Sequence, residues 1–319
     1  MTEGARRGRR TGAVGLYSSP EELPVTDRKK TPAKATRETA SAPDSAEAPE
    51  RGRDLAERFG DRLEITLPVR HNRKLAKILE LVNADDDLYA LWVAANVNAI
   101  ERLGMSDHGP VHVKIVANIA IRMLRILLQA GVEPGIARHY ALAAEDAEVV
   151  VALAALLHDL GMSIHRTDHE AFSLFLADGK LREILAGLYD RREAAIVRSE
   201  VLHAIIAHRA GGRPLTLEAG VVRIADALDM AKGRSRIPFE AGAVTIHAVS
   251  AAAIEAVHIE AGEERPVRVR VEMSNSAGVF QLDELLRKKL VGSGLEAYVE
   301  LEANVTGETE KRLVQHFRL

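Results

Sequence analysis

The run Ala144–Met162, "AEDAEVVVALAALLHDLGM", constrains the fold of this chain more than any other stretch. Between Val149 and Leu157 it carries no polar residue, so a helix formed there is apolar on all faces. A helix of this length that is apolar all round is buried inside a bundle and does not lie on the surface. The sequence therefore predicts an all-α domain built around this segment.

Segments with the apolar spacing of a helix lie on both sides of this run. Short breaks rich in Gly and Pro separate several of them, as expected at helix ends. The stretch "DRLEITLPVR", residues 61–70, alternates in twos and predicts a short strand before the first helix. The helices are predicted at Arg73–Val82, Asp87–Leu103, His112–Gln129, Ala171–Tyr189, Arg191–His208 and Thr216–Ala231.

The pattern changes after Pro238, where three stretches alternate apolar and polar residues as half-buried strands do. These are "AVTIHAVSA", "AAIEAVHIEA" and "RPVRVRVEMS"; "QLDELLRKKLV" follows as an amphipathic helix and "AYVELEANV" as a further strand. One helical layer over an antiparallel sheet accounts for this pattern. The fold class is therefore α+β, a helical bundle followed by a small C-terminal α+β domain.

Composition divides the chain into three parts. Residues 1–55 are rich in Arg, Lys, Glu, Ala, Pro, Ser and Thr without apolar period, which is typical of a disordered tail. Residues 56–240 form the helical domain, and residues 241–319 form the small α+β domain, to which the sequence assigns no role.

The absence of cysteine excludes disulfides, iron–sulfur clusters and thiolate zinc sites, so any metal must be held by histidine and carboxylate. Twelve histidines are available for this purpose. A formal charge of −3 gives no electrostatic argument for a nucleic-acid or membrane partner. No apolar run reaches the length that spans a bilayer, and no signal-peptide pattern is found, so we expect a cytoplasmic protein.

His158 and Asp159 end the apolar run, and a carboxylate buried there needs a cationic partner. A divalent ion could contact both residues, because neighbouring positions on a helix lie about 100° apart. A buried Asp–Arg or Asp–His bridge without metal is the alternative, and the dipeptide taken alone favours it.

Other histidines and acids in the helical domain shift this balance towards a metal site. His112 opens a helix whose apolar positions point inward, and Asp226 lies within the apolar segment "VVRIADALDM". His169, His203 and His208 lie between them in the sequence. So many histidines and acids in one thiol-free helical domain are typical of a hard or borderline metal site.

The order of these residues resembles the HD-domain superfamily of metal-dependent phosphohydrolases. The resemblance covers about residues 105–236: a His opening a helix, "HD" followed by "LGM", then "IIAHR", "GGRP" and "RIADALD". It implies one or two divalent ions, with Mn, Mg, Fe, Ni and Zn as candidates. It also implies that the first ion is held by His112, His158, Asp159 and Asp226, and a second by histidines among His169, His203 and His208.

His203 and His208 are five residues apart, about 140° around a helix, so we prefer His208 as the second-site ligand. Glu170 and Glu200 are further candidates, as ligands or as partners of a histidine N–H. In the branch of the superfamily that cleaves cyclic dinucleotides, the segment corresponding to "IIAHRAGGRP" carries a second His directly after the first and a Tyr-Pro pair after the Gly. This chain has Arg209 and Arg213-Pro214 instead, a departure that argues against cyclic di-GMP.

Cations near the predicted ligands in sequence are candidates for binding the substrate phosphate. Arg166 is one such cation, since it lies between the predicted ligands Asp159 and His169 in the sequence. For Lys232 there is an alternative explanation: a basic residue at a helix C-terminus interacts favourably with the helix dipole. The predicted substrate-binding residues are Arg209, Lys232, Arg234 and Arg236.

These observations predict a metal-dependent phosphohydrolase or phosphodiesterase in which His158 and Asp159 are catalytic and a metal-activated water attacks a phosphoester. The expected partner is a small phosphorylated substrate, with a nucleotide as the first candidate; a membrane or nucleic acid is not expected, and a homodimer is left open. Two alternatives remain: a regulatory module that binds nucleotide or metal without turnover, and a di-iron oxygenase on the same scaffold.

Overall fold

A computed structural model describes residues 62–230 and 250–306 of the chain, together with the backbone of residues 316–318. The predicted tail, residues 1–55, lies outside the described residues. So do Lys232, Arg234 and Arg236, and all but the last two residues of the predicted strand "AVTIHAVSA".

Eight α-helices are described before residue 230, and most begin or end within two residues of their predicted bounds. A π-helical turn, Val97–Arg102, continues the helix that ends at Asn96, and a 3-10 turn, Leu160–Ser163, follows the helix that ends at Leu157. The helices are α1 Arg73–Ala84, α2 Asp86–Asn96, α3 Pro110–Gln129, α4 Gly135–Tyr140, α5 Ala144–Leu157, α6 His169–Ile184, α7 Arg191–Ala207 and α8 Leu217–Leu228.

Helix α5 is the centre of the helical part, as its sequence predicts. Every residue from Asp146 to Leu157 is buried. Helices α3, α7 and α8 pack around it, and the indole Nε1 of Trp92 donates to the backbone oxygen of Leu156 at 2.8 Å. The C-terminal end of α5, where His158 follows, is therefore enclosed by other helices.

Two local features differ from the sequence expectation. The strand expected at residues 61–70 is wrong: the backbone N–H and oxygen of Ile65 bind the side chain of Asn83 at 2.9 Å and make no sheet contact. Helix α4 was not predicted, because it is only six residues long. Its first two N–H groups donate to the carboxylate of Glu218, which supplies the cap that its own sequence lacks.

The C-terminal part contains a four-stranded sheet in the order β1-β2-β3-β4. The strands are β1 Ile254–Ala261, β2 Val267–Met273, β3 Val299–Val305 and β4 His316–Arg318. Strand β2 pairs antiparallel with β1 but parallel with β3, so the expectation of an entirely antiparallel sheet is wrong. The helical segment between β2 and β3 explains the difference, because parallel neighbours need a crossover connection.

This crossover consists of short helical pieces and lies against α8. It runs through a 3-10 turn Ser276–Gly278, α9 Val279–Gln281, a π-helical turn Leu282–Arg287 and α10 Lys288–Leu290. A Cβ on Gly220, near the start of α8, would lie 2.5 Å from the backbone oxygen of Ser293. Glycine is therefore required there for the chain after α10 to approach α8 so closely.

The inner face of the sheet and the helices share one apolar core. Alternate residues of β2 and β3, such as Val269 and Leu301, are buried in the same cluster as Leu153 of α5. The predicted domain boundary at residue 240 stays a prediction, because residues 231–249 are not described. Among the described residues, no helix has the length and apolar character that crossing a bilayer requires.

Candidate metal centre

The predicted first-site ligands all lie at helix ends that meet. His112 is the third residue of α3, which begins at Pro110 after Gly109. His158 caps the C-terminus of α5 and Asp159 follows it, while Asp226 lies in the last turn of α8. Helix geometry thus brings together four side chains that are up to 114 residues apart in sequence.

These four side chains lie within contact distance of one another. The Nε2 atoms of His112 and His158 are 3.2 Å apart. Asp159 Oδ2 lies 3.4 Å and 3.3 Å from these two nitrogens, and Asp226 Oδ1 lies 3.6 Å and 3.8 Å from them. Ligand atoms around one ion at bond lengths near 2 Å are separated by about 3–4 Å, so the spacing fits a shared cation.

The hydrogen bonds of the histidines determine which nitrogen is free. His112 Nδ1 lies 2.6 Å from Asp229 Oδ2, and His158 Nδ1 lies 2.8 Å from the backbone oxygen of Ala155. Because both oxygens can only accept, each Nδ1 carries the proton in the neutral ring and each Nε2 presents a lone pair. When both Nε2 atoms are deprotonated, two lone pairs and two carboxylates face one another in a buried site, an arrangement that a cation between them would stabilise.

A second group adjoins the first through Asp159. Its members are His169, the first residue of α6, Glu170, and His208, which caps the C-terminus of α7. Asp159 Oδ1 lies 3.2 Å from His169 Nε2 and 3.8 Å from His208 Nε2. Since its Oδ2 faces the first group, Asp159 has one oxygen towards each set.

A tight turn holds His158 and Asp159 against α6. Ser173 Oγ donates to the backbone oxygen of His158 at 2.6 Å and accepts from the N–H of Gly161 at 2.8 Å. A Cβ on Gly161 would lie 2.0 Å from the backbone oxygen of His169. The glycine of "HDLG" is therefore needed for the two predicted ligand groups to approach each other.

The pKa values describe the centre without a bound ion. Burial alone lowers the pKa of His158, but the carboxylates Asp159 and Asp226 raise it to about 10. Burial, together with the positive charges of His158 and Lys289, lowers the pKa of His208 to about 3. Without an ion His158 thus carries one positive charge beside the two carboxylates, and the His208 ring is neutral with Nε2 available to a metal.

Both carboxylates remain ionised in this setting. Although burial raises the pKa of Asp159, the charge of His158 and hydrogen bonds from His158 and His169 hold that pKa well below its usual range. Burial also raises the pKa of Asp226, and Lys289 and His158 lower it well below the usual range.

Two residues that contact the ligands were missed by the sequence analysis. Asp229 accepts from His112, and the sequence offers a signal for it, since it is an acid three residues after Asp226, directly after the last residue of α8. Lys289 Nζ lies 3.1 Å from Asp226 Oδ2. No local signal points to Lys289, because it is 63 residues away and belongs to a helix that reads as an ordinary amphipathic one.

The structure does not bring every predicted site residue into the centre. His203 lies apart from it, half-buried on α7, where its Nε2 accepts from the N–H of Leu215 at 3.0 Å. Glu200 is also elsewhere: its Oε1 accepts from the hydroxyl of Tyr140 at 3.1 Å. Among the predicted residues described here, those brought together are His112, His158, Asp159, His169, Glu170, His208 and Asp226.

Arg209 lies beside the second group. It lines a cavity of about 520 Å³ together with Arg166, Thr167, Asp168, Glu170 and the small residues Ala171, Ala210 and Gly211. Arg166 Nη1 lies 2.8 Å from His169 Nδ1. Within the described part of the chain, the guanidinium of Arg209 has no ion-pair partner.

Comparison with known proteins agrees with this geometry. The family model for the HD domain matches residues 111–231, which include every residue of the two groups. The chain is also similar to a protein of Methanocaldococcus jannaschii, the uncharacterized protein MJ1020, with 46% identity over 214 residues, 67% of this chain and 83% of that protein. No solved structure matches. The resemblance inferred from the sequence is thus confirmed, and the chain belongs to the HD-domain superfamily.

Proposed function

We propose that this protein is a phosphohydrolase or phosphodiesterase that uses a divalent metal to hydrolyse a small phosphoester, with a nucleotide as the expected substrate class. Membership of the HD-domain superfamily supports a metal-dependent hydrolase at the level of the family. One observation carries the proposal: imidazole nitrogens and ionised carboxylates lie within contact distance of one another in a buried site where helix ends converge.

The first ion would be held by His112, His158 and Asp226 with Asp159 Oδ2. Asp229 and the backbone oxygen of Ala155 hold the two imidazoles in the tautomer that ligation requires. Imidazole with carboxylate suits Mn²⁺, Fe²⁺, Ni²⁺ or Zn²⁺, whereas Mg²⁺ prefers sites made of oxygen ligands. A divalent ion bound there supplies Lewis-acid chemistry, since it lowers the pKa of a bound water and neutralises charge on a phosphoryl group.

A second ion would be held by His169, Glu170 and His208 with Asp159 Oδ1. The His208 ring is neutral, because burial lowers its pKa to about 3, and its Nδ1 lies 2.6 Å from the backbone oxygen of Ile205. Its Nε2 therefore points towards Asp159 as an acceptor. Asp159 then lies between both positions, and we expect it to be the residue whose loss disrupts both.

The substrate would enter through the cavity that Arg166 and Arg209 line. Glu170 lines this cavity and its Oε2 lies 3.2 Å from His169 Nδ1, so the cavity adjoins the second ligand group. The planar guanidinium of Arg209 suits the oxygens of a phosphate. Helix α5 is buried from Asp146 to Leu157, so water is excluded on that side of the centre and charge interactions there are strengthened.

The test is replacement of Asp159 by Ala. We expect Asp159→Ala to lose bound metal and phosphate release together, because the buried carboxylate faces both ligand groups. Metal content is measured by elemental analysis, and phosphate release is measured on a panel of nucleotides and simple phosphoesters with Mn²⁺ or Mg²⁺ added.

Asp87→Ala is the matched control, because the Asp87 side chain is 92% exposed and belongs to neither ligand group. It should keep the metal and the activity of the unaltered protein. Activity that survives in Asp159→Ala would contradict the proposal. Saturable nucleotide binding without product, by the metal-loaded protein, would support the regulatory alternative instead.

A further inference from the structure

A lysine from the C-terminal part of the chain reaches into the metal centre. Lys289, in α10, places its ammonium 3.1 Å from Asp226 Oδ2 and also donates to the backbone oxygen of His208. Its side chain is 19% exposed. The other oxygen of Asp226, Oδ1, faces His112 and His158. Lys289 therefore occupies the side of Asp226 that is turned away from the predicted ligands.

The position of Lys289 is fixed by a buried arginine on the same helix as Asp226. Arg223, which is 2% exposed, donates from Nε to the backbone oxygen of Lys289 at 2.8 Å. Its Nη1 donates to the backbone oxygens of Arg209 at 2.6 Å and Gly212 at 2.8 Å. One guanidinium thus joins α10 to the loop that follows His208.

The arrangement holds Lys289 at both ends. Arg223 and Asp226 are one helical turn apart on α8, so the first binds the backbone of Lys289 and the second binds its ammonium. Arg223 also donates to the backbone oxygen of Lys288 at 3.3 Å, so it binds two neighbouring carbonyl groups of α10. Replacing only the Lys289 side chain would leave the Arg223 contacts in place.

We infer that Lys289 is a positioning residue of the metal centre. It holds the outer oxygen of Asp226 so that this carboxylate offers a single oxygen to the ion, and its charge reduces the affinity of the centre for cations. The C-terminal α+β unit, to which the sequence assigned no role, thereby completes the centre. The inference rests on the metal-binding part of the proposed function and not on phosphate hydrolysis.

The direction of the expected effect separates this role from simple packing. A positive charge within a few ångströms of a divalent ion opposes its binding, even at the effective dielectric constant of a protein interior. Removing that charge should therefore tighten metal binding. Loss of a residue that served only packing would instead lower the melting temperature and weaken metal binding together.

The experiment compares Lys289→Met with Lys289→Arg and Lys288→Met in the full chain. Mn²⁺ binding to metal-free protein is measured by the loss of the free-ion signal in electron paramagnetic resonance. We expect Lys289→Met to bind Mn²⁺ about tenfold more tightly than the unaltered protein. Lys289→Arg should remain close to the unaltered protein, since a guanidinium can also donate to Asp226.

Lys288→Met is the matched control, because Lys288 pairs with Glu284 on the surface and is 65% exposed. It should leave Mn²⁺ affinity unchanged. Affinity of Lys289→Met that equals or falls below that of the unaltered protein would overturn the inference, as would a tenfold gain in Lys288→Met.

The same titration distinguishes this inference from the proposed function. A protein that binds Mn²⁺ but hydrolyses no phosphoester would remove the proposed function and leave the affinity comparison valid. A wild-type protein that binds no Mn²⁺ would overturn both.

Discussion

The metal centre and the outer face of the sheet both gather many charged side chains, but they balance those charges differently. On the sheet we define the charged face as Arg268, Arg270, Glu260, Glu272, Glu300 and Glu302. There Arg268 Nε lies 3.3 Å from Glu260 and 3.7 Å from Glu300, and Arg270 Nη1 lies 2.8 Å from Glu272. Each of these carboxylates thus has a guanidinium close by.

The centre has no such pairing of opposite permanent charges around its middle. The Nε2 atoms of His112 and His158 face Asp159 and Asp226, and the ammonium of Lys289 lies on the outer side of Asp226. The side chains of the two histidines are fully buried, whereas Arg268 is 22% exposed. Carboxylates on a sheet surface are commonly paired with neighbouring arginines, whereas buried carboxylates grouped with imidazoles are typical of a metal site.

The largest effect is expected for a substitution at Gly161, in the turn that holds His158 and Asp159 against α6. Gly161→Ala would place a Cβ 2.0 Å from the backbone oxygen of His169 and 2.6 Å from the backbone nitrogen of Ser173. Since backbone cannot give way cheaply, we expect a loss of about 3 kcal/mol or more in the free energy of unfolding. Urea denaturation measures the stability, and a metal titration should show weakened binding.

Gly179→Ala is the control for this substitution. Gly179 lies in α6, and a Cβ there would meet no atom within 4 Å. Alanine should stabilise this exposed helical position by about 0.5–1 kcal/mol without changing metal affinity. If Gly161→Ala were as stable as Gly179→Ala, the close packing described for "HDLG" would be incorrect.

The next effect is the pH dependence of metal binding at the centre. Because the carboxylates raise the pKa of His158 to about 10, the metal-free centre keeps a proton that an ion must displace. We expect release of about one proton per bound ion near pH 8, and an affinity that rises about tenfold per pH unit between pH 7 and 9. Calorimetry in buffers of different ionisation enthalpy measures the proton count.

His158 also determines how the stability of the fold changes with pH. A raised pKa stabilises the fold fully below the unfolded value near 6.5, and this contribution is lost as pH rises through the folded value near 10. The metal-free protein should therefore lose melting temperature from pH 7 to 10, and the metal-loaded protein should lose less. Metal binding that is independent of pH over this range would refute the assignment of the proton.

The smallest effect is expected on the charged face. Arg268→Met removes a guanidinium from among Glu260, Glu300 and Glu302, all of which solvent can reach. Partly exposed pairs contribute about 1 kcal/mol or less, so the stability loss should be of that order and should shrink in high salt.

Metal affinity in Arg268→Met should equal that of the unaltered protein. Arg287→Met is the matched control, since Arg287 makes one exposed pair with Asp283 at 2.8 Å. An effect of Arg268→Met on metal affinity would show that the charged face and the centre are coupled, against the contrast described above.

The convergence of the candidate ligands could be predicted where each one belongs to a helix with a clear apolar pattern. The fully apolar α5 required His158 and Asp159 to emerge in the interior, and the apolar spacing of α3 directed His112 inward. His203 and His208 could be separated by helical angle alone, and the structure places only His208 beside Asp159.

The features that the sequence did not predict depend on contacts between distant parts of the chain. Periodicity of two is the same in both strand directions, so it does not give the parallel pairing of β2 with β3; the signal for it is the helical segment between them. The approach of Lys289 to Asp226 depends on how α10 docks on α8. The tautomers of His112 and His158 depend on their acceptors, which only the folded chain defines.

The convergence of ligands at the ends of five helices gives a bound ion a mechanical role as well. Ligation of His112, His158, His169, His208 and Asp226 would cross-link α3, α5, α6, α7 and α8 across loops of many residues. In a chain without cysteine, such a cross-link restricts the unfolded state much as a disulfide would. Metal supply would then govern the lifetime of the folded protein.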